Sequence, residues 1–114
     1  MKYVVYCIVL EHYRGTNISH SKLLKVGYSR DSAKYRLDMN ERLEGDLSYR
    51  ALFGKITIAA EKEFDTQQEA LLYEEKVLAA LGKKDCNIYE KVSGVKELRQ
   101  WSQGREDFLI EALS

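Results

Sequence analysis

The sequence predicts an α+β domain, a small three-stranded antiparallel sheet flanked by helices, with a β-β-α-β-α core and C-terminal helices. Three observations predict it. Residues 3–10 are dense in Val, Ile and Tyr, the composition of a buried strand. Apolar residues between Thr66 and Leu81 recur at helical spacing. The chain between them alternates short apolar runs with turn and capping residues, including Gly27, Ser32 and Gly45.

In order along the chain, strand 3–10 leads into a polar stretch, 11–21, that reads as a long hairpin connection because it holds Gly15, Asn17 and Ser19. Residues 22–28 form a second strand closed by Gly27. Ser29, Asp31 and Ser32 offer N-cap side chains for a helix over 32–43, with Ala33, Leu37, Asn40 and Leu43 on one face. Gly45 ends it. A third strand is expected over 49–60, centred on Ile56-Thr57-Ile58, with Gly54 as a bulge. Asp65 or Thr66 caps the second helix, and Gly82 stops it. A turn at 83–85 follows, then a short helix over 95–102 after Gly94, a break at Gly104, and a last helical piece over 106–113. Trp101 and Phe108 are expected to anchor these pieces to the sheet.

A chain of 114 residues suffices for one small domain, here 1–114, with a core of about 3–87 and a helical extension over 88–114. No apolar run approaches the ~20 residues that span a bilayer. The apolar start meets Glu11, His12, Tyr13 and Arg14 at once, so it fits a strand better than a signal peptide. Cytoplasmic residence is the expectation, with no membrane partner. Cys7 and Cys86 are far apart, and with two His in the chain no zinc-ligand spacing arises. Net charge is zero, which argues against a strong nucleic-acid binder. The charge is uneven, however. Residues 1–60 carry ten Lys/Arg against six Asp/Glu, and 61–114 carry eight against twelve. An electropositive face built from the first half would make weak, salt-sensitive contacts.

Glu74 is the most informative residue. At ~100° per residue, Ala70, Leu71, Val77, Leu78 and Leu81 project within about 60° of it. A carboxylate in such a stripe needs a cation, a metal or a wet cleft, because an unpaired buried charge is costly. A structural ion pair with a buried Arg or Lys, or a place at the rim where the stripe meets solvent, is the competing explanation.

Val4-Val5-Tyr6 on the first strand, Lys25-Val26-Gly27 on the second, Arg36 on the first helix and Glu74 on the second resemble the GIY-YIG nuclease superfamily. Glu69-Ala70-Leu71-Leu72-Tyr73-Glu74 stands where that family often carries a similar acidic and apolar stretch, and Asn87 lies where it often has an Asn. The likeness covers roughly 3–87. Ser93-Gly94-Val95-Lys96-Glu97-Leu98 further resembles the tail of the phage and bacterial branch, whose second motif begins Lys-Ile-Gly. Val4 stands where Gly is usual, Lys25 where many members have Tyr, and Arg36 one residue later than usual. The resemblance implies a metal-dependent endonuclease that hydrolyses DNA phosphodiester bonds in a bacterial host cytosol, with one Mg²⁺ or Mn²⁺ on Glu74.

On the resemblance, Tyr6, Lys25, Arg36 and Glu74 are the catalytic candidates. Arg36 would grip a phosphate oxygen, since guanidinium matches phosphate geometry. Tyr6 would act as general base, with Lys25 supplying the nearby cation that favours a phenolate. Tyr28, Arg30 and Asn87 are candidate substrate contacts. His12, His20, Tyr13, Arg14 and Lys22 are further possible contacts to the strand. The alternatives are a nuclease-fold module that binds nucleic acid without cutting, and an interaction domain whose acidic second half docks a host protein. Cutting both strands would call for a homodimer.

Overall fold

The computed structural model describes residues 2–14, 22–86, 88 and 94–114. Strand β1 (Tyr3–Tyr13) pairs antiparallel with both β2 (Lys22–Arg30) and β3 (Phe53–Phe64), and a short β4 (Leu98–Gln100) adds to the far side of β2. The sheet therefore has four strands in the order β3-β1-β2-β4, not three. Four helices accompany it: α1 (Ala33–Glu44), α2 (Tyr49–Leu52), α3 (Gln67–Leu81) and α4 (Gln103–Ala112). None is long and apolar enough to cross a membrane.

The central strand β1 is buried on both faces, so its sequence is continuously apolar rather than alternating. Its side chains sort by parity. Val4, Tyr6, Ile8 and Leu10 join Leu23 and pack beneath Ala33 and Leu37 of α1 and Tyr49 and Leu52 of α2. Val5, Cys7 and Val9 join Leu24 and Val26 and pack beneath Ala70, Val77 and Leu81 of α3 and Leu109 and Leu113 of α4. Thus α1 and α3 lie on opposite faces of one sheet.

Side-chain caps set the helix starts. Ser32 accepts from the Tyr35 amide, Thr66 from Glu69 and Ser102 from Arg105. Gly82 closes α3 with φ 89°, a conformation that favours glycine.

Five local expectations are overturned. Residues 49–52 are helical, not the start of a strand, because buried Ser48 caps them and Asn40 Oδ1 accepts from the Tyr49 amide. The bulge lies at Ala59, skipped between the pairs Cys7↔Ala60 and Ile8↔Ile58, rather than at Gly54. Gly54 instead faces His12, whose Cβ would stand 3.0 Å from a Cβ placed there. Residues 95–102 do not form a helix. Val95–Glu97 make one 3₁₀ turn, and Leu98–Gln100 are taken into the sheet. Gly104 sits inside α4, and Phe108 is exposed on it, leaving Leu109 and Leu113 as the anchors. Trp101 does pack against the α3-side core.

Candidate active site

Strand β4 pairs only with Leu23, Leu24 and Lys25, so among the described residues the edge of β2 beyond Lys25 has no strand partner. Helices on both faces reach this uncovered edge. The result is a pocket of about 250 Å³ lined by Tyr6, Lys25, Arg36 and Glu74, together with Tyr28 and Glu97.

Tyr6 and Lys25 meet through the sheet register. Tyr6 pairs with Gly27 and Ile8 with Lys25, so Tyr6 and Lys25 are diagonal neighbours on one face. Lys25 Nζ donates to Tyr6 Oη at 3.0 Å. Lys25 is not a solvent-facing strand lysine but is 5% exposed, and Tyr6 is 1% exposed. Gly27 is what lets the phenol lie flat across β2, because a Cβ there would stand 2.5 Å from Tyr6 Oη.

Glu97, which was not among the candidate site residues, completes this cluster. The 3₁₀ turn ahead of β4 sets Glu97 beside Lys25 because Leu98 is Lys25's pairing partner. Glu97 Oε2 lies 3.0 Å from Lys25 Nζ. Gly94, at φ 77°, closes over the pair, with room for a Cβ only 3.2 Å from both Glu97 Oε2 and Lys25 Cε. Burial alone would lower the Lys25 pKa, but Tyr6, Glu97 and Tyr49 outweigh it and hold the ammonium above the ordinary lysine value.

Glu74 reaches the pocket from the opposite face, at the border between the buried stripe and solvent. Of its apolar neighbours, Ala70, Val77 and Leu81 are buried, while Leu71 is 39% exposed. Its Oε2 is buried and has no hydrogen-bond partner among the described residues. Burial and the neighbouring Glu97 push its pKa up to about 7, against the pull of Lys25 and Arg36. The dry salt link expected of a structural carboxylate is therefore absent at Glu74 among the described residues. Arg36, on α1, is exposed, and its guanidinium has no hydrogen bond or ion pair among the described residues.

A cation fits this donor set. An orphaned carboxylate oxygen is an open ligand, and a second carboxylate shares the pocket. Among the described residues no cluster of three or more His, Cys, Asp or Glu exists. One or two carboxylates with water completing the shell suit Mg²⁺ or Mn²⁺ rather than zinc.

The other candidates are dispersed. Tyr28 lines the pocket, but Arg30 lies in the adjoining one. Asn87 and His20 fall outside the described residues. Lys22 sits over the Trp101 ring at 3.9 Å and pairs with Glu11 at the far end of β1. Arg14 and His12 lie near Gly54, also away from the pocket. Cys7 is buried and its thiol is pushed up to about 12 by burial and Glu106, so it is unreactive.

No protein-family model, curated protein or solved structure matches this chain.

Proposed function

We propose that this chain is a metal-dependent endonuclease of the GIY-YIG kind, hydrolysing DNA phosphodiester bonds. The observation that carries the proposal is that Tyr6, Lys25, Arg36 and Glu74, singled out from four separate elements, line one open pocket in which a Glu74 oxygen has no hydrogen-bond partner among the described residues.

The chemistry asks for an activated water, a grip on the phosphate and charge relief at the leaving oxygen. Arg36, exposed and unpaired among the described residues, binds a non-bridging phosphate oxygen and neutralises charge that grows there. Tyr6 Oη, acting as a phenolate oxygen, takes the proton of the attacking water and is left as the neutral phenol. Lys25 holds that oxygen in place with its 3.0 Å hydrogen bond and keeps its positive charge beside it. Glu97 balances the Lys25 charge, so the buried ammonium is not stranded. Glu74, with Glu97 lining the same pocket, would hold the divalent cation, which would supply Lewis-acid stabilisation of the leaving oxygen.

Supercoiled-plasmid nicking tests the proposal. Wild type should nick with Mg²⁺ or Mn²⁺ and stop on EDTA, and Glu74→Ala should lose scission while remaining folded. Binding of DNA at low salt without scission by either protein would favour a non-cutting module instead. Indifference to DNA would favour a protein-docking role.

A further inference from the structure

Beside the candidate active site lies a second pocket, of about 290 Å³, which shares Tyr28 and Arg36 with it. It opens at the same uncovered edge of β2, between the first turns of α1 and Gln67 at the start of α3. Its character differs from that of its neighbour. Arg30 and Arg36 line it, and no carboxylate does among the described residues. Tyr3 and Tyr28 stand parallel within 13° at a ring separation of 6.2 Å and form an aromatic wall. Arg30 is exposed at the pocket mouth, beside Tyr35, which holds the guanidinium pKa above its ordinary value.

Two cations beside an aromatic wall are what a single nucleotide requires: cations for its phosphate and a π-face for its base. Bases inside a duplex present no free face, so only an unstacked nucleotide can use the wall. Arg36 lies on the partition between the pockets, which makes a strand gripped there continue toward Arg30. Resting on the nuclease proposal above, we infer that this pocket seats one unpaired nucleotide next to the scissile phosphate, with its base on Tyr3 and Tyr28 and its phosphate on Arg30. The preferred substrate is then DNA with a single-stranded or unpaired position at the cut, not continuous duplex.

Fluorescence anisotropy in EDTA tests this without any scission, so an inactive enzyme leaves the readout intact. The probes are a labelled single-stranded 12-mer, the matching duplex, and the duplex with one unpaired nucleotide. The single-stranded and unpaired probes should bind several-fold tighter than the duplex. Tyr3→Leu should weaken them by roughly fivefold to thirtyfold while Tyr3→Phe keeps wild-type affinity. Arg30→Gln, at an exposed position, should lower the slope of log K against log[salt] by about 0.7 for the single strand. Equal affinity for duplex and single strand overturns the inference, as does an unchanged salt slope in Arg30→Gln. Should Tyr3→Leu fail to fold, the Arg30 slope decides. Duplex scission by wild type combined with equal affinities would overturn this subsite alone and leave the nuclease proposal standing.

Discussion

Tyr6 and Gly27 face each other across β1 and β2, and the Tyr6 phenol occupies the space a side chain at 27 would need. A Cβ at 27 would stand 2.5 Å from Tyr6 Cζ and Oη and 2.8 Å from Lys25 Nζ. Contacts that short force the ring or the strand to move.

Gly27→Ala should therefore destabilise the fold by about 1–3 kcal/mol, the usual range for overpacking a tight site. Because the displaced atoms are the phenol and ammonium, scission should fall further than stability explains. Denaturant melts alongside plasmid nicking check this. An Ala variant of wild-type stability and activity would mean the ring is not held as described.

The Lys25–Glu97 pair is unequally buried, with side chains 6% and 29% exposed. Glu97→Gln removes the only carboxylate in direct contact with a deeply buried ammonium among the described residues and should cost about 1–3 kcal/mol. Lys25→Met should cost less, because no buried charge is left behind. The double variant should be more stable than the sum of the single losses implies. A double-mutant cycle by denaturant melts checks the coupling, and additive losses would contradict it.

Much of this site is legible in the chain. Tyr6, Lys25 and Gly27 follow from pairing two apolar strands, and Glu74 stands out against Ala70, Val77 and Leu81 on α3. Glu97 was not legible. Its place depends on Leu98 pairing with Lys25, a three-residue strand whose existence is decided by an edge 73 positions earlier in the chain rather than by local composition. Tyr49–Leu52 misled for a related reason. Tyr and Leu suit a strand, but the Ser48 cap and the Asn40 side chain on the Tyr49 amide select a helical turn. Ser48 ahead of Tyr49 was the signal available in the sequence. That Arg36 lines both pockets while Arg30 lines only the second was also hidden, since the two lie close together in the chain, on either side of the start of α1.

Glu74 should leave a signature in stability against pH. In the native state it keeps its proton up to about 7, while the unfolded chain releases it near the ordinary 4.5. The native state binds more protons in that interval, so this group's contribution is whole below 4.5 and declines as pH rises to about 7. Glu74→Gln lacks the decline. Its stability relative to wild type should rise between pH 4.5 and 8, measured by urea melts at each pH. A difference independent of pH would contradict the raised value.

Divalent ions should reverse that decline. Mn²⁺ at a hundred times its Kd should stabilise wild type by about 2.7 kcal/mol at pH 8, with weaker binding below pH 7 where Glu74 is protonated. Thermal melts with and without Mn²⁺ check this. Glu74→Gln should show little shift, and an equal shift in both proteins would place the ion elsewhere.

The central claim is that a carboxylate set at the edge of an apolar helix face serves phosphodiester scission rather than folding. Its most direct test is the single-turnover cleavage rate of Glu74→Gln against wild type in saturating Mg²⁺, on DNA carrying an unpaired position. The account predicts a loss of at least about 100-fold in a protein that, in EDTA at pH 8, is as stable as wild type or more so. A Gln variant that cuts at the wild-type rate would contradict it.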